Sequence, residues 1–206
     1  EADIYAYNAY LNKYAVTKLT VTAETVISLD KSELSLTLDD NNSASAELTA
    51  SFNEASSDVV EWTSNSADVT IGEASFTQGK TSTSKVTVTA KSPGTATITA
   101  KRTDTGKTAT CTVNIKCPVK GIAIADKDGN IYDDSAKITI MEGETIDISA
   151  VITPDNATNK SVTYASSDKS IAAVSVKNDI GTISGKCVGE AVITVTSADN
   201  PEVSDT

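Results

Sequence analysis

Asp126-Lys127-Asp128-Gly129-Asn130, with Asp133 and Asp134 just beyond, is where the residue types come closest to cation chemistry, because alternate carboxylates along a loop can converge on one calcium ion. The spacing departs from an EF-hand loop. Its sixth position is Ile131 where the turn needs Gly, and its twelfth is Lys137 where a bidentate Glu belongs. An Asp-Gly hairpin turn accounts for the same residues. Asp39-Asp40-Asn41-Asn42 is a second acidic run and reads as a strand connection. Nucleophilic catalysis has even less to work with. His is absent, which removes the commonest general base and the commonest metal ligand together, so no Ser-His or Cys-His pair can form. The chain has no Gly-rich phosphate loop, no Cys-x-x-Cys and no nucleophile elbow, and a carboxylate pair picked from 28 acidic residues carries no information. The expectation is a protein that is not an enzyme, with no catalytic residues, no metal ligands and no cofactor.

The three Cys cannot all pair within one molecule, and a secreted disulfide scaffold would carry many more. Ala109, Cys111, Val113 and Ile115 share one face of a strand, so Cys111 reads as a small core hydrophobe. Bridges from Cys117 to Cys187 or from Cys111 to Cys117 stay open as alternatives. Trp62 and Tyr164 point inward by alternation, as core residues and not as a sugar-stacking platform. The Asn-x-Ser/Thr sequons at Asn41, Asn156 and Asn159 mark exposed loops. Alternation turns the strand Lys residues outward, away from any isopeptide crosslink.

The formal charge of -11 disfavours nucleic acid and an anionic membrane surface as partners. No apolar run approaches the roughly 18 residues of a membrane span. No basic stretch leads into an apolar core at the start, so any export signal is expected outside this chain. Ser and Thr supply about a quarter of the residues and aromatics only 4%, a usage typical of thin β-sandwiches.

Four of the six Tyr fall within the first fourteen residues, and Ile4, Tyr7, Leu11 and Tyr14 recur at three- and four-residue steps. That stripe predicts a short amphipathic helix with Glu1 and Asp3 at its positive end. An extended segment stays open, because Ile4, Ala6 and Asn8 also alternate. This segment reads as the tail of a preceding domain or as a docking element. From Leu19 onward, short alternating strands follow one another every eight to twelve residues. Residues 26 to 29 and 33 to 38 read as one strand broken at Asp30-Lys31-Ser32. Ala46, Leu48, Ala50 and Phe52 line the inner face of the next, and Asp104-Thr105-Gly106 closes a late hairpin.

The second half repeats the first. Leu48-Thr49-Ala50-Ser51-Phe52 returns as Ile148-Ser149-Ala150-Val151-Ile152, and Trp62-Thr63-Ser64 returns as Tyr164-Ala165-Ser166. Lys91-Ser92-Pro93-Gly94-Thr95-Ala96-Thr97-Ile98-Thr99 returns as Lys186-Cys187-Val188-Gly189-Glu190-Ala191-Val192-Ile193-Thr194. A period of one domain length indicates tandem domains and not a solenoid. Cys117-Pro118 marks the boundary, since Pro cannot continue the ladder of the strand before it. The predicted organisation is a connecting segment over 1–23 and two domains over 24–117 and 118–206.

Ala90 to Ala100 followed by Ala109-Thr110-Cys111-Thr112-Val113, with Pro154 to Lys160 and Gly185 to Ala191 in the second copy, resembles the bacterial Ig-like domain of group 2. The resemblance implies an all-β fold of two tandem Ig-like sandwiches. It also implies a structural or adhesive module on a bacterial cell surface, as in intimin- and invasin-like adhesins. Decoration domains of a phage virion that weakly bind surface glycans are the alternative, and an ancillary module of a secreted carbohydrate-active enzyme is the second alternative. The implied partners are neighbouring domains of a longer polypeptide and a host-surface protein or glycan. One departure stands out: after Ala191 to Thr196 the final strand of the second copy is mostly missing, as expected of a truncated chain or of a strand donated by another subunit.

Overall fold

A computed structural model describes residues 2–20, 26–53, 60–133 and 137–206. Among them every regular element is a strand. β1 (Ala2–Asn8) and β2 (Lys13–Leu19) pair antiparallel as a hairpin, which corrects the helix expected over these residues. The reason is local. Asn12 takes a positive φ of 44°, and the Asn8 side chain accepts the N–H groups of Tyr10 and Leu11, so the chain reverses where a helix would have had to continue. Ile4, Tyr5, Tyr7, Tyr14, Val16 and Thr17, β-branched or aromatic, then suit the pleated ribbon.

The first sandwich contains β3 (Ile27–Leu29), β4 (Glu33–Thr37), β5 (Ala44–Asn53), β6 (Val60–Ser64), β7 (Val69–Ile71), β8 (Ser75–Thr77), β9 (Thr81–Ala90), β10 (Gly94–Arg102) and β11 (Thr108–Lys116). One sheet runs β3-β5-β9-β7, with β8 also on β9, and the facing sheet runs β4-β11-β10-β6. The segment expected as one broken strand thus changes sheets at Asp30-Lys31-Ser32. Asp30 accepts the Thr49 N–H at 2.8 Å on the first sheet, and two residues later the Ser32 carbonyl accepts the Thr112 N–H of the second. A strand crossing between sheets this way supplies one edge strand to each sheet. Every strand pair here is antiparallel except β4 on β11.

Side-chain alternation builds the core. Leu48, Ala50 and Phe52 of β5, Val86, Val88 and Ala90 of β9, Ala96, Ile98 and Ala100 of β10, and Cys111, Val113 and Ile115 of β11 are all buried. Ser82 and Ser84 share the inner face of β9. Ser84 accepts the Trp62 indole N–H at 3.0 Å, so this buried hydroxyl keeps a partner.

The second sandwich contains β12 (Gly121–Asp126), β13 (Thr145–Thr153), β14 (Val162–Ser166), β15 (Ala172–Lys177), β16 (Ile180–Gly185), β17 (Ile193–Ser197) and β18 (Ser204–Asp205). Its sheets run β12-β13-β16-β15 and β14-β17-β18. Ile124, Ile148, Ile183 and Val195 form a smaller buried core, with Tyr164, Val174 and Ile193 half-buried against it. The chain is therefore all-β, two tandem Ig-like sandwiches behind a short hairpin.

Candidate functional site

The two acidic loops have different uses. In Asp126-Lys127-Asp128-Gly129-Asn130 the Asp126 carboxylate accepts the N–H groups of Asp128 and Asn130 and the Asn130 side-chain amide, all within 2.9 Å. Gly129 supplies the positive φ of 88° that the turn requires. The Asn130 amide, followed by the loop N–H groups, holds the Asp126 carboxyl below its ordinary value. Its oxygens are thus engaged as turn acceptors, and Asp128 pairs with Lys127. Asp134 lies outside the described residues. No group of three metal-ligating side chains occurs among the described residues.

The Asp39 to Asn42 loop is a joint. Asp39 accepts the N–H groups of Asn41 and Ser43 and shapes the loop, while Asp40 pairs with Lys120 at 2.6 Å and Asn42 accepts from Asn156. The hydrogen bond from Lys120 lowers the Asp40 carboxyl's pKa. Beneath this polar rim, Cys117 and Thr158 bind reciprocally: the Cys117 N–H donates to the Thr158 hydroxyl at 2.7 Å, and the Thr158 N–H donates to the Cys117 carbonyl at 2.8 Å. Two loops, one from each sandwich, are fastened at the chain crossover. Asp40→Ala combined with Lys120→Ala is expected to widen the range of inter-sandwich orientations, read by residual dipolar couplings, while the unfolding transition of each sandwich stays in place.

Of the three sequons, Asn41 and Asn156 are exposed and Asn159 is half-buried, its side chain accepting the Ser161 N–H. Trp62 and Tyr164 occupy matching core-facing positions. The Tyr164 hydroxyl donates to the Asp179 carbonyl, and burial, then the Asp179 charge, raises its pKa.

The cysteines are all free, so neither bridge left open by the sequence is present. Cys111 is buried on the inner face of β11, and burial raises its thiol pKa. Cys117 is buried at the joint, its thiol directed at the Asn156 side chain, and Cys187 is exposed. A thiol reagent is accordingly expected to modify Cys187 rapidly in the folded protein and the other two only on unfolding. Mass spectrometry of labelled peptides reads the difference, and early labelling at Cys117 would mean that the joint opens.

Sequence reasoning missed Arg102. It is 2% exposed, its guanidinium lies 5.1 Å from the Phe52 ring centroid, and it donates to Asp104 twice and to the Asn53 carbonyl. The signal was available: Arg102 continues the inward series Ala96, Ile98, Ala100 by steps of two.

The second sandwich also carries an open groove of about 760 Å³, lined among others by Ile138, Ile140, Met141, Val188 and Ile193. Compared with known proteins, residues 133–206 match the family model of the bacterial Ig-like domain (group 2). A 61-residue stretch is 43% identical to an Ig-like virion protein of Serratia phage KSP90, covering 30% of this chain and 23% of that one. Another of 61 residues is 41% identical to an alpha-L-arabinofuranosidase of Bifidobacterium longum subsp. longum, covering 30% of this chain and 5% of the enzyme. Among solved structures, a C-terminal intimin fragment in complex with the translocated intimin receptor's intimin-binding domain aligns over 88% of this chain and 62% of the fragment, at 20% identity and a TM-score of 0.40. The chain thus spans under a quarter of either curated relative's length.

Proposed function

We propose that these bacterial Ig-like sandwiches, divided at Cys117-Pro118 into 24–117 and 118–206 behind a connecting segment over 1–23, form a non-enzymatic spacing and adhesive segment of a bacterial cell-surface protein. The joint carries this reading. A segment that presents a binding surface at a distance needs fixed angles between its domains, and the Asp40–Lys120 and Cys117–Thr158 contacts supply them where a flexible linker would not. Outward Ser and Thr and the net charge of -11 suit such a segment to life outside the cell. Its partners are then neighbouring domains of the same polypeptide and a protein or glycan on the opposing surface.

Likeness to the Ig-like virion protein favours a second reading, decoration of a phage particle. Free, unpaired thiols suit assembly in a reducing cytosol. Peptide mass spectrometry of the native source separates the two. Peptides of this chain in the cell-wall fraction support the surface segment. Enrichment in sedimentable particles alongside shell or tail proteins overturns it in favour of the virion. Recovery with a secreted glycosidase overturns both in favour of an ancillary module.

A further inference from the structure

The one parallel pair of the first sandwich lies where the chain enters and leaves it. β4 runs beside β11 in register from Glu33↔Thr112 to Thr37↔Lys116. β3 leads into β4 across Asp30-Lys31-Ser32, and β11 runs straight on to Cys117 at the joint. Because β4 and β11 point the same way, the entrance sits at the start of one and the exit at the far end of the other. A pull along the chain therefore draws the two strands lengthwise past each other. In an antiparallel pair, entrance and exit would share one end, and the same pull would open the ladder one bond at a time.

The backbone bonds of this contact follow from its two ends. The Thr112 N–H donates to the Ser32 carbonyl at 2.9 Å, and the Leu38 N–H donates to the Lys116 carbonyl at 2.8 Å. The register between them turns the N–H and C=O of Leu34 and Leu36 toward β11, and those of Glu33, Ser35 and Thr37 away from it. On β11 the corresponding partners are Thr112, Asn114 and Lys116. These bonds all lie across the direction of sliding, so a pull loads them together. Side chains hold the same register. Leu34, Leu36 and Leu38 are buried in the core, and the Asn114 side-chain amide donates to the Glu33 carboxylate on the outer face. A slip by one residue restores the backbone bonds only by turning the three leucines to solvent. The contact thus holds or fails as a whole.

We propose that the β4–β11 contact is a shear lock that lets the first sandwich carry tension along the chain without unfolding. This rests on the reading as a spacing segment and deepens it, since a segment that holds a binding surface at a distance is pulled from its ends. Load reaches the lock directly: Lys116 is bonded to Leu38, and the adjacent Cys117 is bonded both ways to Thr158 of the second sandwich.

Single-molecule stretching of the full chain, held by handles at its two ends, tests this. Lys116 has an exposed side chain, and Lys116→Pro removes the N–H that the Leu36 carbonyl accepts. It is expected to lower the unfolding force of one sandwich by at least about a third, because forced unfolding follows the unfolding barrier. The event of the other sandwich serves as the reference. Ser35→Pro is the matched control: β4 is the edge strand of its sheet and this N–H faces away from β11, so the force is expected to stay in place. A second pair covers the case in which a proline prevents folding. Leu36→Ala, inside the lock, is expected to lower the force. Arg102→Ala removes buried contacts at the far end of β10, and it is expected to weaken the sandwich in denaturant while leaving the force unchanged. Equal effects of the two prolines overturn the proposal, as does a force that falls as far in Arg102→Ala as in Leu36→Ala. The measurement is the same for a cell-surface segment and a particle decoration, so failure of the lock is distinct from failure of that assignment, which peptide mapping decides.

Discussion

Leu48→Ala is expected to destabilise the first sandwich by about 2–5 kcal/mol and to leave the second where it was. Leu48 is fully buried on β5 and packs in the cluster that joins Leu36, Val86, Ile98 and Val113 across the two sheets. Truncation removes the transfer energy of three carbons and leaves a cavity that two hydrogen-bonded sheets cannot collapse to fill. No residue of this cluster belongs to the core around Ile148, so the loss should stay on one side of the joint. Trp62 makes the measurement direct. It is the single Trp of the chain, and its indole packs on the first core. Denaturant titration followed by Trp fluorescence reports the first sandwich, and circular dichroism reports both. Two transitions, with only the Trp-reported one shifted, are expected. One transition moving as a whole would mean that the joint couples the sandwiches into a single cooperative unit.

Arg102→Ala is the second large effect, expected to cost about 3 kcal/mol. The guanidinium is almost wholly buried and engaged with Phe52, the Asn53 carbonyl and Asp104, so truncation loses packing along the stem and leaves polar groups without their donor. The estimate sits at the low end for a broken buried pair because the Asp104 side chain is 36% exposed and its charge can return to water. Arg102→Met, which keeps the stem, should recover more than half of the loss. The pair also sets a pH dependence. The Arg102 hydrogen bond holds the Asp104 carboxyl below the ordinary value of 3.8. A carboxyl depressed in the folded state contributes stability that is complete above its unfolded pKa and lost as pH falls through the folded one. Acid titration of wild type should therefore show a larger loss of stability below about pH 4 than Arg102→Met does, the depressed Asp40 and Asp126 carboxyls contributing equally to both. An equal acid response in both proteins would show that Asp104 draws nothing from Arg102.

Alternation with a period of two is a local property, and it made the inward faces of β5, β9, β10 and β11 legible before any fold was known. The Asp104-Thr105-Gly106 hairpin and the repeat that yields two sandwiches were legible for the same reason. They depend on residue types a few positions apart or on direct likeness between two segments. The candidate loops were legible only as acidic. Whether a carboxylate caps its own turn, as Asp126 does, or reaches across a domain junction, as Asp40 does, depends on what stands opposite, and Lys120 lies eighty residues along the chain.

Composition and spacing by themselves thus determined an all-β chain of tandem sandwiches with the inner face of most strands assigned. Tertiary structure alone decided the rest. It showed residues 2–19 as a hairpin, because stripe and alternation coexist there and the turn shaped by Asn8 and Asn12 lets β1 pair with β2. Alternation already placed Arg102 on the inner face, and the contacts with Phe52 and Asp104 show how a guanidinium is accommodated there. At Asp30 the chain crosses between sheets, because its side chain finds the Thr49 amide. Each outcome rests on contacts between residues that the chain order leaves far apart or balanced between two local forms, and such contacts exist only once the sheets have met.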